Sequence, residues 1–144
     1  LLQEMNDATV SVSVAFTDND IRQLFETNTI DTEVRIKALQ KLKAAGIKTS
    51  ALICPVIPYI MDVNRLIDAL AEHAGKIWIY GLSILNRTER SWQNVEMILK
   101  EHFPESRQKI EAVVFSKDHS YWVNLRQDLV RVQKNSGLNL SIHV

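Results

Sequence analysis

Three helix-to-strand joints in this chain are each closed by a single glycine: "AAGIK" at Gly46, "HAGKI" at Gly75 and "NSGLN" at Gly137. Each follows apolar residues at helical spacing and precedes a run with β character. Glycine just past a helix readily takes the left-handed backbone that stops it. Gly46 and Gly75 stand roughly thirty positions apart, the length of one strand–helix unit. Repetition of that unit predicts an α/β fold whose strands are parallel and joined by right-handed crossovers. The joints at the other end are different. The strand-to-helix stretches "TDNDIRQLFETNTID", "CPVIPYIMD" and "LNRTER" are long. Folds of this kind place their sites in loops at the carboxyl ends of parallel strands.

The first strand is expected over Thr9–Phe16, "TVSVSVAF". Period-two alternation points Val10, Val12, Val14 and Phe16 one way and Ser11, Ser13 and Ala15 the other. A solvated strand face would carry longer polar side chains. Small hydroxylated ones suggest an enclosed space that something must fit into. A short helical turn is expected around Ile21–Phe25, then a helix over 32–45 capped by Asp31, with Ile36, Leu39 and Leu42 as its buried stripe. "IKTSALICPVI" reads as a strand covered on both faces. Asp62 caps a helix built on Val63, Leu66, Ile67 and Leu70. "KIWIYGLSIL" follows as a strand, and "SWQNVEMILKEHF" as a helix with Ser91 a cap. Residues 104–115 fit a helix opened by Pro104 or, through "AVVF", a strand. A last helix uses Trp122, Leu125, Leu129 and Val132, and "LNLSIHV" alternates as a final short strand.

Length and composition narrow the function. The 144 residues suit a single domain over 1–144, with 46% hydrophobic and 24% charged residues. Lysine plus arginine equal aspartate plus glutamate at 17 each, so net charge gives no field to steer nucleic acid or membrane. No stretch approaches the ~18 apolar residues of a membrane span. The single cysteine, Cys54, cannot form an internal disulfide and suits a reducing cytoplasm. The start at Leu1-Leu2-Gln3, close before the first strand, looks like a piece of something longer.

Few residues carry obvious chemistry. The chain has no CxxC, HxxxH or HExxH, and its four glycines form no phosphate-binding loop. His73 and His102 fall near helix ends, where histidine complements the dipole. Trp78 and Trp92 read as structural. Cys54, at the carboxyl end of the second strand, fits small apolar packing, the lining of a ligand cavity, or a catalytic thiol lacking a visible base. In "LNRTER", Arg87 and Arg90 would suit either a carboxylate or phosphate clamp or a solvated loop.

The order of these features resembles the carboxyl-terminal half of radical S-adenosylmethionine proteins of the spore photoproduct lyase and DNA repair photolyase-like group. The matching features are a strand with Ser11 and Ser13, a loop with Glu26 and Thr29, a helix with Arg35, Leu39 and Leu42 ending at Ala45-Gly46, and Cys54-Pro55-Val56-Ile57-Pro58. "HFPESRQKIEAVVF", "HSYW", a basic helix and "SGL" resemble that group's tail, and favour helix for 104–115. The resemblance implies a partial (βα) barrel fragment, with extra carboxyl-terminal helices and a final short strand, supplying roughly the fourth to sixth strands. It implies that Ser13, then Ser11, line the ribose or amino-acid portion of S-adenosylmethionine. Cys54 and Pro55 would lie against the adenine, and Asn86 and Arg87 would face substrate.

The group's CxxxCxxC, which holds a four-iron four-sulfur cluster, is missing here. No cluster or tightly bound cofactor is therefore expected on this chain alone, and no metal site; the missing amino-terminal half of the barrel would be its partner. By the same resemblance the substrate would be a nucleic acid lesion, which the neutral charge does little to support. The edge of the first strand would be left unpaired, favouring a homodimer. The rival expectation is a stand-alone α/β small-molecule binding or interaction domain.

Overall fold

The alternation is realised as four strands and six helices in the computed structural model, which describes residues 8–144. In chain order they are β1 (Thr9–Ser13), α1 (Asn19–Phe25), α2 (Thr32–Ala44), β2 (Lys48–Val56), α3 (Val63–Leu70), β3 (Lys76–Gly81), α4 (Arg90–His102), α5 (Arg107–Val114), α6 (Ser120–Ser136) and β4 (Leu140–His143). The segment that spacing left open is thus helical, as α5. Among the described residues no helix is long and apolar enough to cross a membrane.

All three strand pairings are parallel, and the sheet order follows the chain, β1-β2-β3-β4. Each crossover therefore steps the same way, and crossovers of one hand then bring every connecting helix to one face. The strand order does not reverse anywhere among the described residues, so the sheet has no switch point there.

Burial follows that geometry. On the covered face Ala51 and Ile53 of β2 and Ile79 of β3 are fully buried, with Ile77 and Leu140 close behind. Leu39 of α2, Leu66, Ile67 and Leu70 of α3, Trp92 and Leu99 of α4, and Leu129 of α6 complete the core. On the opposite face Ser11, Ser13 and His143 are exposed, and Leu52, Cys54, Trp78, Tyr80 and Ser141 are half-buried. Ser50 is the exception on this face, buried beside Ser11. β2 is thus more open on this face than on the other. Its apolar look comes from Leu52 and Cys54, which shelter among neighbouring strands.

The β1 alternation stops early. The strand ends at Ser13, and Val14, Ala15 and Phe16 are all buried as the chain turns under the helices. Ala15 thus leaves the serine face. In α2 only Thr32 and Leu39 are buried, while Ile36 and Leu42 are half-covered, so its stripe is narrower than spacing suggests.

Local signals explain the helix ends. The Asp62 carboxylate accepts from the Arg65 amide at 3.0 Å, opening α3. Glu89, not Ser91, precedes α4, and its carboxylate instead ties the amides of Leu85 and Asn86 in the preceding loop. Gly46 and Gly137 take left-handed backbone, at φ of 76° and 71°. Gly75 serves differently. Its amide donates to the Thr49 carbonyl at 2.8 Å, and a Cβ would stand 3.3 Å from that oxygen.

Candidate functional site

The bare sheet face gathers the residues that β-strand alternation sends away from the helices. In-register pairing sets Ser11 of β1 beside Ser50 of β2, and their hydroxyls hydrogen-bond at 2.5 Å. Next along β1, Ser13 pairs with Leu52, which pairs with Trp78 of β3. Trp78, Tyr80 and His143 form a ladder of near-parallel rings, with Tyr80 and His143 centroids 4.6 Å apart. The Lys76 ammonium sits 3.7 Å from the Trp78 ring centroid, a cation–π contact. The four strands carry no acidic residue. The face offers hydroxyls, one thiol, aromatic surface and positive charge.

Ser11 and Ser13 do not look into an enclosed space made by the described residues. Both stand exposed. The reason is geometric, since closing a sheet on itself takes about eight strands, and four leave one side open.

Cys54 is half-buried on this face, and its peptide bond to Pro55 is cis. The β2–β3 register shifts between Ile53 and Val56, at this dipeptide. Burial pushes the Cys54 thiol above its ordinary range. It has no hydrogen-bond partner among the described residues, so nothing there generates a thiolate. That removes the support a catalytic thiol would need.

At the carboxyl edge, two arginines hold the β1 loop. Arg22, only 2% exposed, donates to Asn19 Oδ1, to the Thr29 carbonyl and hydroxyl, and to Asp31 Oδ1 at 2.7 Å. Asp31 stands before α2 as expected, but its carboxylate serves Arg22 and makes no cap hydrogen bond. Arg35 donates to the Ser13 carbonyl at 2.9 Å and pairs with Glu26 Oε2 at 2.7 Å. Glu26, Thr29 and Arg35, noticed separately in the sequence, are thus parts of one brace. Arg22 gave no signal, because an arginine in a short polar segment reads as solvated.

Asn86 and Arg87 lie in the loop after β3, at the same edge. Both are committed to local structure. The Asn86 side-chain oxygen accepts from the Thr88 amide at 2.9 Å, an Asx turn. Arg87 Nε donates to Glu111 Oε1 at 2.6 Å, and its guanidinium lies over the Phe115 ring. Arg90 begins α4. Of the residues expected at a site, Ser11, Ser13 and Cys54 share the bare face, while Asn86 and Arg87 sit apart from it at the rim.

Among the described residues no group of three or more His, Cys, Asp or Glu side chains could hold a metal ion. Trp78 was expected to be structural, yet it faces the bare side. Lys76, Trp78 and Tyr80 at every second position of "KIWIYG" carry the signal that finds it.

No family model matches the chain, and no solved structure matches it. Uncharacterized proteins of Mycobacterium bovis and of two strains of Mycobacterium tuberculosis are 27% identical to it over 88 residues. That stretch covers 58% of this chain and 26% of each of theirs, so the chain spans about a quarter of the curated relatives it matches.

Proposed function

We propose that this chain is the carboxyl-terminal sector of a radical S-adenosylmethionine barrel, and that its bare sheet face is the inner wall that receives the cofactor. The observation that carries the reading is that face. A sheet with this connectivity and one more open face suits a wall that other strands complete. The exposed hydroxyls of Ser13 and Ser11 suit the ribose and amino-acid portions of S-adenosylmethionine. Cys54 and Pro55, half-buried where β2 leaves the sheet, suit the flat adenine. The fit to the two parts of such a centre is unequal. One cysteine cannot supply the three thiolates of an iron–sulfur cluster, so that cluster and its chemistry belong to another segment. This chain's share is to shape, position and exclude water.

The test is the reading frame upstream of Leu1 and the protein it encodes. A CxxxCxxC motif in an amino-terminal half, with S-adenosylmethionine binding weakened by Ser13→Phe in the whole protein, is the expected result. An initiator Met immediately before Leu1 would overturn the reading. A stoichiometric cluster forming on the 144-residue chain alone, given iron and sulfide without air, would also overturn it. The substrate class of the whole protein, including a nucleic acid, is open to the same experiment. The outer edge of β1 carries no partner strand among the described residues, so association through it, or through the bare face, is part of the proposal. Light scattering that gives a strict monomer at high concentration would count against it.

A further inference from the structure

The turn that ends β2 is held in a shape its own sequence disfavours. Ile57, Pro58, Tyr59 and Ile60 form it, and the Ile57 carbonyl accepts from the amides of Ile60 and Met61, each at 3.3 Å. The Ile57 amide in turn donates to Met61 Sδ at 3.1 Å. Pro58 suits the second position of such a turn, but Tyr59 at the third has a φ of 62°. A positive φ there is ordinarily the work of glycine or asparagine. The other described residues in that region, Gly46, Gly137 and Asn28, keep to that rule. A bulky aromatic residue held there costs free energy that its surroundings must offset.

Burial does not supply the offset, because Tyr59 is 47% exposed. Two contacts with distant helices do. The Tyr59 ring lies 4.9 Å from that of Tyr121 in the first turn of α6, tilted by 59°. The Lys109 ammonium of α5 stands 4.6 Å from the Tyr59 ring centroid. Tyr121 is itself anchored, edge-on to Trp122, whose indole nitrogen donates to the Val113 carbonyl at 2.9 Å. Burial raises the pKa of the Tyr121 phenol, and a hydrogen bond from the Tyr59 backbone opposes that shift. Tyr121 thus meets both the ring and the main chain of the turn.

We propose that Tyr59 is a conditional latch, which closes the turn after β2 only while α5 and α6 grip its ring. Glycine would close the same turn unconditionally, because it takes positive φ without steric cost. Tyrosine makes closure depend on Lys109 and Tyr121. It therefore couples the end of β2, and the Asp62 cap of α3 just beyond it, to the start of α6. Displacing the first turn of α6 releases the strained turn, and the buried Met61 with it. The latch is built within residues 57–122, needs no open surface and stands apart from the cofactor reading.

The test is hydrogen exchange at the Ile57, Ile60 and Met61 amides of this chain, read against the amides of β3. Tyr121→Leu keeps apolar bulk but removes the ring. It should speed exchange at the turn about tenfold while β3 stays slow. Lys109→Met, at an exposed position, should speed it about threefold, and serves alone if Tyr121→Leu does not fold. Tyr59→Gly by itself should leave the turn as slow as in the parent chain or slower. In that background neither of the other substitutions should alter it, because glycine holds the turn unaided. Four results would overturn the proposal: neither substitution speeding the turn, the Tyr59→Gly background responding as strongly, Tyr59→Gly opening the turn by itself, or exchange in β3 rising in step.

Discussion

The two faces of this sheet come from the same strands yet are chemically unlike. One residue apart on β3, Ile79 is fully buried under helices, while Tyr80 is half-exposed beside His143. On the covered side, alternation delivers Ala51, Ile53, Ile77 and Leu140, and the area removed from water there supplies the driving force for folding. On the bare side it delivers Ser11, Ser13 and His143, which are exposed, and Cys54 and Trp78, which are half-buried. A residue that contributes little to folding is free to be chosen for something else. The comparison teaches that stability and recognition are divided by the pleat.

The division can be broken most sharply at adjacent positions. Ile79→Ala should cost about 3 kcal/mol in urea unfolding, through lost transfer energy and the cavity left behind. Tyr80→Ser, its neighbour, should cost about 1 kcal/mol, mainly ring stacking. Equal losses would mean that the bare face is also core. Next comes Arg22, where the carboxyl edge joins the two sides. Arg22→Met should cost about 2 kcal/mol, because the Thr29 carbonyl and the Asp31 carboxylate lose the charged donor that the buried Arg22 supplies. Protection of the 26–31 amides in hydrogen exchange should fall with it.

Cys54 sharpens the comparison by pH. Since burial raises its thiol, the protonated form persists to higher pH than in an ordinary cysteine. Alkylation by iodoacetamide should therefore be slow near neutrality and rise only at more alkaline pH than for a free thiol. A profile shifted to lower pH would restore the thiol-enzyme reading. The smallest effect is expected at Ser13. It is exposed, so Ser13→Ala should change stability by less than about 0.5 kcal/mol. A larger loss would make that serine structural.

Much of this architecture was legible in advance. The glycine-closed joints and helical spacing carried the parallel α/β order, and the proline opening settled nothing at 104–115 until neighbours packed on Ile110 and Val113. The site was less legible. Ser11, Ser13 and Cys54 could be assigned to a strand face by alternation. The Trp78–Tyr80–His143 ladder could not be assembled, because His143 arrives from a strand sixty positions later. Arg22 looked like surface.

The sequence by itself determined the local elements, their parallel direction and the two-sided chemistry of each strand, because these follow from backbone periodicity, capping and handedness within a few turns of chain. Only the tertiary structure decided how the strands line up across the sheet, and so which side chains meet on its open face. Those outcomes depend on register between distant strands, and no local pattern of residues encodes how far one strand has slid along another.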